Sequence, residues 1–218
     1  MLGDNIPMIP AATLRQAERE LTQCDPRLGQ IIANHGPCRL GRHRRDPFHV
    51  LCTSIINQQL STKAADTIQG RIAERLNAGD RFKPEHFRDV EPADLRAVGL
   101  SNAKGRWLVQ IAGMVEAGEF SFRRLRHMDD ESAIKTLDAL PGIGRWSAEM
   151  FLMFALDRLD IFSMGDVGLR RGVERLHNGG EKMDIEATAA ITGRWAPWRS
   201  VASWYLWRIG SIDEGAWV

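Results

Sequence analysis

The sequence predicts an all-α fold on three observations. Apolar residues recur every three or four positions along most of the chain. Ser, Asp and Pro stand where helices would begin, and Gly stands where several would end. No run alternates apolar and polar residues long enough to make a strand.

Each element has its own signal. In "PAATLRQAERELTQ" the residues Leu14, Ala17 and Leu21 share one helical face. "DPRLGQIIANHG" opens on Asp-Pro and closes on Gly, and "DPFHVLCTSIINQQ" reads as a buried helix. "STKAADTIQGRIAERLNAG" has a Ser cap, an apolar stripe of Ala65, Ile68, Ile72 and Leu76, and a closing Gly79. "EPADLRAVGL" is a short helix. "SNAKGRWLVQIAGMVEAG" follows with Trp107, Ile111 and Val115 on one face. "DDESAIKTLDAL" is a helix with acids at its positive end. Further helices are expected over 144–157, 166–177, 184–195 and 198–210.

Composition excludes several classes. The 218 residues are enough for one large domain or two small ones, and the net charge of +1 gives no global field towards nucleic acid. Any basic footprint must be local, and the candidates are "RLGRHRRD" at 39–46 and "RRLRH" at 123–127. Charge runs of this kind are more often solvated faces. Cys24, Cys38 and Cys52 form no CxxC pair and no four-cysteine set for zinc or an iron–sulfur cluster. Their sparse, odd count fits a reducing compartment. The first residues lack the basic and apolar regions of a signal peptide, and "MFLMFAL" is too short to span a bilayer. The expectation is a cytoplasmic monomer.

The informative segment is "LPGIGRWSAEMFLMFALDRLDIFSMGD". Pro141, Gly142 and Gly144 join two helices, and the free N–H groups at the start of the second make an anion site. The same pattern also serves as an ordinary helix corner. It is not a P-loop, since no GK[ST] follows. "VGLSNAKGRW" is a second corner, with Lys104 and Arg106 in its following turn. Two such corners suit the backbone of a duplex. The segment ends on Asp166, which could equally cap the helix "VGLRRGVERLH". Asp160, the rival acid, reads as the end of the preceding helix.

The segment resembles the helix–hairpin–helix glycosylases of base-excision repair. Hairpin, helix and Asp stand in that family's order, with 24 positions from Gly142 to Asp166. "IINQQLSTKAA" and "WAPWRSVASWYLW" resemble stretches of its 3-methyladenine DNA glycosylase II branch, so the likeness runs from about residue 45 to the C-terminus. The resemblance implies two helical lobes with the active site in the cleft between them. They are a central lobe over 45–155 with the hairpin at 140–146, and a second lobe of 1–44 plus 156–218, within one domain. It also implies no N-terminal β domain.

The resemblance assigns roles. Asp166 would drive cleavage of the N-glycosidic bond. Trp146 occupies the position where strand-cutting members carry an amine nucleophile, so the implied enzyme is monofunctional, leaving an abasic site in damaged double-stranded DNA. Trp146 and Met150, four apart, would line a pocket for the extruded base, with Trp207 and Tyr205 as its second wall. Alkylated purines such as 3-methyladenine are cations, which aromatic faces attract. Seven tryptophans against one tyrosine also favour stacking. Gln59, with Leu60 second, would plug the gap left by the base. Asn57 and Gln58 could instead only satisfy backbone at the corner. Gly142, Gly144, Arg145 and Lys104 would hold phosphates. Backbone carbonyls of Asp138, Leu140 and Ile143 would hold a structural Na+ or K+, and no cofactor or iron–sulfur cluster is required. A non-catalytic DNA-binding module of the same hairpin would need no Asp166, and a glycosylase for another lesion would need a different pocket. Localisation would be the bacterial nucleoid, or the nucleus in a eukaryote.

Overall fold

A computed structural model describes residues 8–42 and 46–210. His43, Arg44 and Arg45 of the first basic cluster lie outside the described residues. Within them the chain is helical, with no strand. Among the described residues no helix is long and apolar enough to cross a membrane.

The chain divides into two compact units, one built on Arg45–Phe151 and the other on Pro7–Arg44 with Leu152–Val218. The second unit opens with α1 (Ala11–Cys24) and α2 (Pro26–His35). The first unit holds α3 (Pro47–Asn57), α4 (Thr62–Arg75), a 3-10 turn at Pro84–Phe87, α5 (Pro92–Ala97), α6 (Asn102–Glu116), the single turn α7 (Phe122–Leu125) and α8 (Asp130–Asp138). Helix α9 (Arg145–Ala155) starts in the first unit, and the division falls inside it. Then come α10 (Val167–His177), α11 (Ile185–Gly193) and α12 (Arg199–Gly210).

The expected caps form. Asp25, Asp46, Ser61, Ser101, Asp129, Asp166 and Asp184 each accept a backbone N–H from the following first turn. One stop differs. Helix α4 ends earlier than Gly79, because Asn77 takes a left-handed conformation at φ 50°. The Asn77 N–H then bonds Glu74 O and the Ala78 N–H bonds Ala73 O, a Schellman closure made without glycine.

The first unit packs around aromatic rings. Phe48 meets Phe87 edge-on at 5.8 Å and Phe122 at 6.5 Å, and Phe122 meets Phe151 at 5.8 Å. Ile55, Ile56, Ile72, Leu95 and Leu108 fill the space between, each at most 1% exposed.

The second unit rests on a close approach of α10 to α12. A Cβ on Gly172 would lie 2.8 Å from Leu206 O, and one on Gly210 would lie 2.1 Å from Gly168 O. Side chains at these positions would hold the helices apart. Trp195 is fully buried and donates its Nε1–H to Asp25 Oδ2 at 2.9 Å. Gly172→Ala should therefore destabilise the protein by about 1–3 kcal/mol through overpacking. Gly113→Ala, where nothing lies within 4 Å of the new Cβ on α6, should instead stabilise by up to about 1 kcal/mol. Urea unfolding midpoints of the two variants check both signs.

Candidate functional site

The hairpin connects α8 to α9 in the first unit. The turn closes with Ile143 N–H on Leu140 O at 3.2 Å, and the α9 ladder begins with Ala148 N–H on Gly144 O at 2.9 Å. The first-turn N–H groups of α9 therefore point out of the helix end beside the turn. The two glycines differ in role. Gly142 sits at φ +79°, and a Cβ there would lie 2.2 Å from Trp107 Cε3. It is required by the turn and by the indole packed on it, so the absence of a side chain at Gly142 is explained by packing, apart from any phosphate contact of its backbone. Gly144 is exposed, and a Cβ there meets nothing within 4 Å. It leaves open surface at the helix end.

The two basic residues expected at phosphates are committed elsewhere. Arg145 makes a two-pronged pair with Glu131, at 2.6 and 2.9 Å, and its Nε reaches Glu149 at 3.0 Å. These carboxylates raise the guanidinium's pKa and neutralise its charge, so Arg145 is not a ready phosphate ligand. Lys104 turns inward and donates Nζ–H to Ile56 O at 2.9 Å and Gln58 O at 2.5 Å. Burial lowers its pKa. It caps the carbonyl end of α3, where a cation is favoured, rather than facing a duplex. Arg123 and Arg124 of the second basic cluster stay exposed.

The α3–α4 loop is held from three sides. Lys104 takes its carbonyls, Gln58 Nε2 donates to Gly142 O at 2.9 Å, and Gln69 Nε2 donates to Asn57 Oδ1 at 2.7 Å. Asn57 and Gln58 thus serve the backbone and the corner. Gln59 projects from this frame, exposed and at φ 58°. Leu60, 36% exposed, stands beside it. A left-handed non-glycine at a tethered loop tip stores strain that the surroundings must hold, as functional loops often do. Gln58 was not expected as a bridge to the hairpin, since no sequence spacing links positions 84 residues apart.

The expected pocket residues differ in exposure. Trp146 is 37% exposed in the first turn of α9, while Met150 is buried. Tyr205 is fully buried, and its hydroxyl lies 2.8 Å from Glu18 Oε1 and 2.9 Å from Gly36 O. Burial and the Glu18 carboxylate raise its pKa. Tyr205 is a core residue pinning α12 to α1, not a pocket wall. Most other tryptophans are structural as well: Trp195 bonds Asp25, Trp198 bonds Glu20, and Arg208 lies over Trp204 at 3.1 Å. The abundance of tryptophan is therefore mainly packing.

Asp166 lies in the second unit and is 8% exposed. It is the N-cap of α10: its Oδ1 accepts the Leu169 N–H at 2.8 Å. The same oxygen accepts the Trp207 Nε1–H at 3.2 Å. Trp207 is 6% exposed and stacks on Phe154 with centroids 5.6 Å apart. The cap leaves Asp166 its charge, because the helix end that it caps favours a negative group there. Asp160 does not end a helix. It grips Arg199 through two bonds at 2.7 and 3.0 Å and so fixes the start of α12. Phe154 against Trp207 and Gly168 beside the acid were not expected. A glycine two residues after an N-cap is a poor helix former, and that is the signal that could have marked position 168.

Comparison with known proteins identifies the family. The sequence profile described as HhH-GPD superfamily base excision DNA repair protein matches residues 52–197. DNA-3-methyladenine glycosylase 1 of Schizosaccharomyces pombe is 32% identical over 93% of this chain and 90% of its own length. The crystal structure of a Bacillus halodurans DNA-3-methyladenine glycosidase superposes with a TM-score of 0.81 at 38% identity, covering 90% of this chain and 89% of that one. A Schizosaccharomyces pombe 3-methyladenine DNA glycosylase in complex with abasic DNA superposes with a TM-score of 0.72 at 32% identity, covering 88% and 95%. With two thirds of its length inside that profile and near full-length relatives alike in sequence and fold, the chain belongs to the HhH-GPD superfamily of base excision DNA repair proteins.

Proposed function

We propose that this chain is a monofunctional DNA glycosylase that excises alkylated bases, of the 3-methyladenine and 7-methylguanine type, from damaged duplex DNA. The observation that carries the reading is Asp166, a nearly buried carboxylate held at a helix N-terminus by two donors on one oxygen. A relative matched over 90% of its own length bears the name DNA-3-methyladenine glycosylase 1.

The chemistry follows from the residues. As the C1′–N bond breaks, its electrons leave with the base and positive charge grows on the sugar. A fixed carboxylate beside that sugar stabilises the charge without reorganising. Water then adds at C1′ and gives up a proton, leaving an abasic site in an intact strand. An N-alkylated purine departs as a neutral base, so no acid is needed to protonate it. Trp146, at the start of α9, carries no amine and can form no Schiff base with the sugar. The open corner at Gly144 would take a phosphate on backbone N–H groups, and Gln59 and Leu60 would fill the stack behind the extruded base.

A Na+ or K+ on the carbonyls of Asp138, Leu140 and Ile143 belongs to the same proposal. Leu140 O accepts from Ile143 N–H and keeps a second lone pair for a cation, which would add positive charge facing the phosphate. The enzyme would act as a monomer on nuclear or nucleoid DNA.

Three measurements test this reading. Asp166→Asn keeps the cap, because Asn caps a helix about as well as Asp, and removes only the charge. It should slow release of methylated bases by about 100- to 1,000-fold while leaving duplex affinity within about twofold. Release at the wild-type rate would reduce Asp166 to a cap. Borohydride should trap no covalent link to DNA, and alkali should be needed to cut the product strand. Gly144→Val should fold normally yet bind plain and damaged duplex more weakly, with the salt slope reduced by roughly one. Wild-type affinity at every salt concentration would make the hairpin only a corner.

A further inference from the structure

Trp207 holds Asp166 by its N–H, and the surroundings show that this contact is built. The indole is 6% exposed, so it presents little face to any ligand. Its ring is stacked on Phe154 at an interplanar angle of 28°. Its Nε1 reaches Asp166 Oδ1 at 3.2 Å. Position 168 makes room for that reach: a Cβ there would lie 3.2 Å from Asp166 Oδ1 and 3.3 Å from Trp207 Cδ1. Indole nitrogen donates and cannot accept, so the partner it suits is an oxygen with lone pairs to offer. With the Leu169 N–H at 2.8 Å on the same oxygen, two directional bonds fix the plane of the carboxyl group.

We infer that Trp207 is a positioning residue, which orients the Asp166 carboxylate through its indole N–H, rather than a stacking wall for the extruded base. Phe154 clamps the indole, and Gly168 leaves the space across which the bond forms. The inference rests on the reading that Asp166 drives cleavage of the glycosidic bond.

The decisive variant is Trp207→Phe. It keeps an aromatic ring against Phe154 and removes the N–H donor, together with part of the indole's volume. Single-turnover release of 3-methyladenine or 7-methylguanine from methylated duplex, duplex affinity by fluorescence anisotropy, and thermal unfolding are measured together. The single-turnover rate should fall at least about tenfold, since a bond to a charged group is lost, while affinity for the damaged duplex stays within about twofold. A folded Trp207→Phe that releases bases at the wild-type rate overturns the inference. So does a loss of affinity for damaged duplex as large as the loss of rate, which is what a stacking wall would give. Should Trp207→Phe not fold, Gly168→Ala decides. It keeps Asp166 and Trp207 and crowds the space between them, so the rate should fall with affinity retained, and an unchanged rate overturns the inference. Asp166→Asn runs in parallel. If it releases bases normally, the failure lies with the reading of Asp166 and not with its orientation.

Discussion

The close approach of α10 to α12 is the constraint on which the rest of the second unit depends. Gly172 and Gly210 let backbone meet backbone, Leu206 O facing one and Gly168 O the other. Only at that separation does the Trp207 N–H reach a carboxylate at the far helix's N-cap. The start of α12 is fixed separately. Asp160 grips Arg199, and the Ser200 hydroxyl donates to Arg158 O at 2.6 Å while accepting the Ile161 N–H at 2.9 Å. Arg175 adds a bond to Ile209 O. The acid is thus held by a rigid helix pair rather than by a loop, and a fixed dipole or charge needs such support to act without reorganisation.

The first unit solves a different problem with the same economy. Its α3–α4 loop must expose Gln59 and Leu60 and yet keep their backbone in place. Lys104, Gln58 and Gln69 do this by spending side-chain donors on carbonyls and an amide. Because Gln58 bonds Gly142 O, the loop is tied directly to the hairpin. The turn itself is locked by the Trp107 ring lying over Gly142.

Charge is handled sparingly. Arg145 stands at the exposed corner but is paired with Glu131 and Glu149, and Lys104 is folded under. With a net charge of +1, the proposed phosphate contacts would rest on backbone N–H groups and local fields more than on a basic surface. Binding of that kind would be weaker on random duplex than a cationic face would give.

The sequence by itself determined the helices and most of their caps, because caps and apolar periodicity are local. Asp25, Ser61, Ser101 and Asp129 each act within three residues of their own position. It also determined the candidate acid, since the hairpin and Asp166 lie in one continuous segment. Tertiary structure decided which side chains reach those places. Lys104 and Arg145 carry the right charge for phosphate, but their partners come from helices that no spacing relates to them. Tyr205 and Trp207 are two residues apart on one helix, yet one faces Glu18 and the other Asp166. Residues two apart on an α-helix point in nearly opposite directions, so a motif read as a string cannot say which of them serves the core and which the acid.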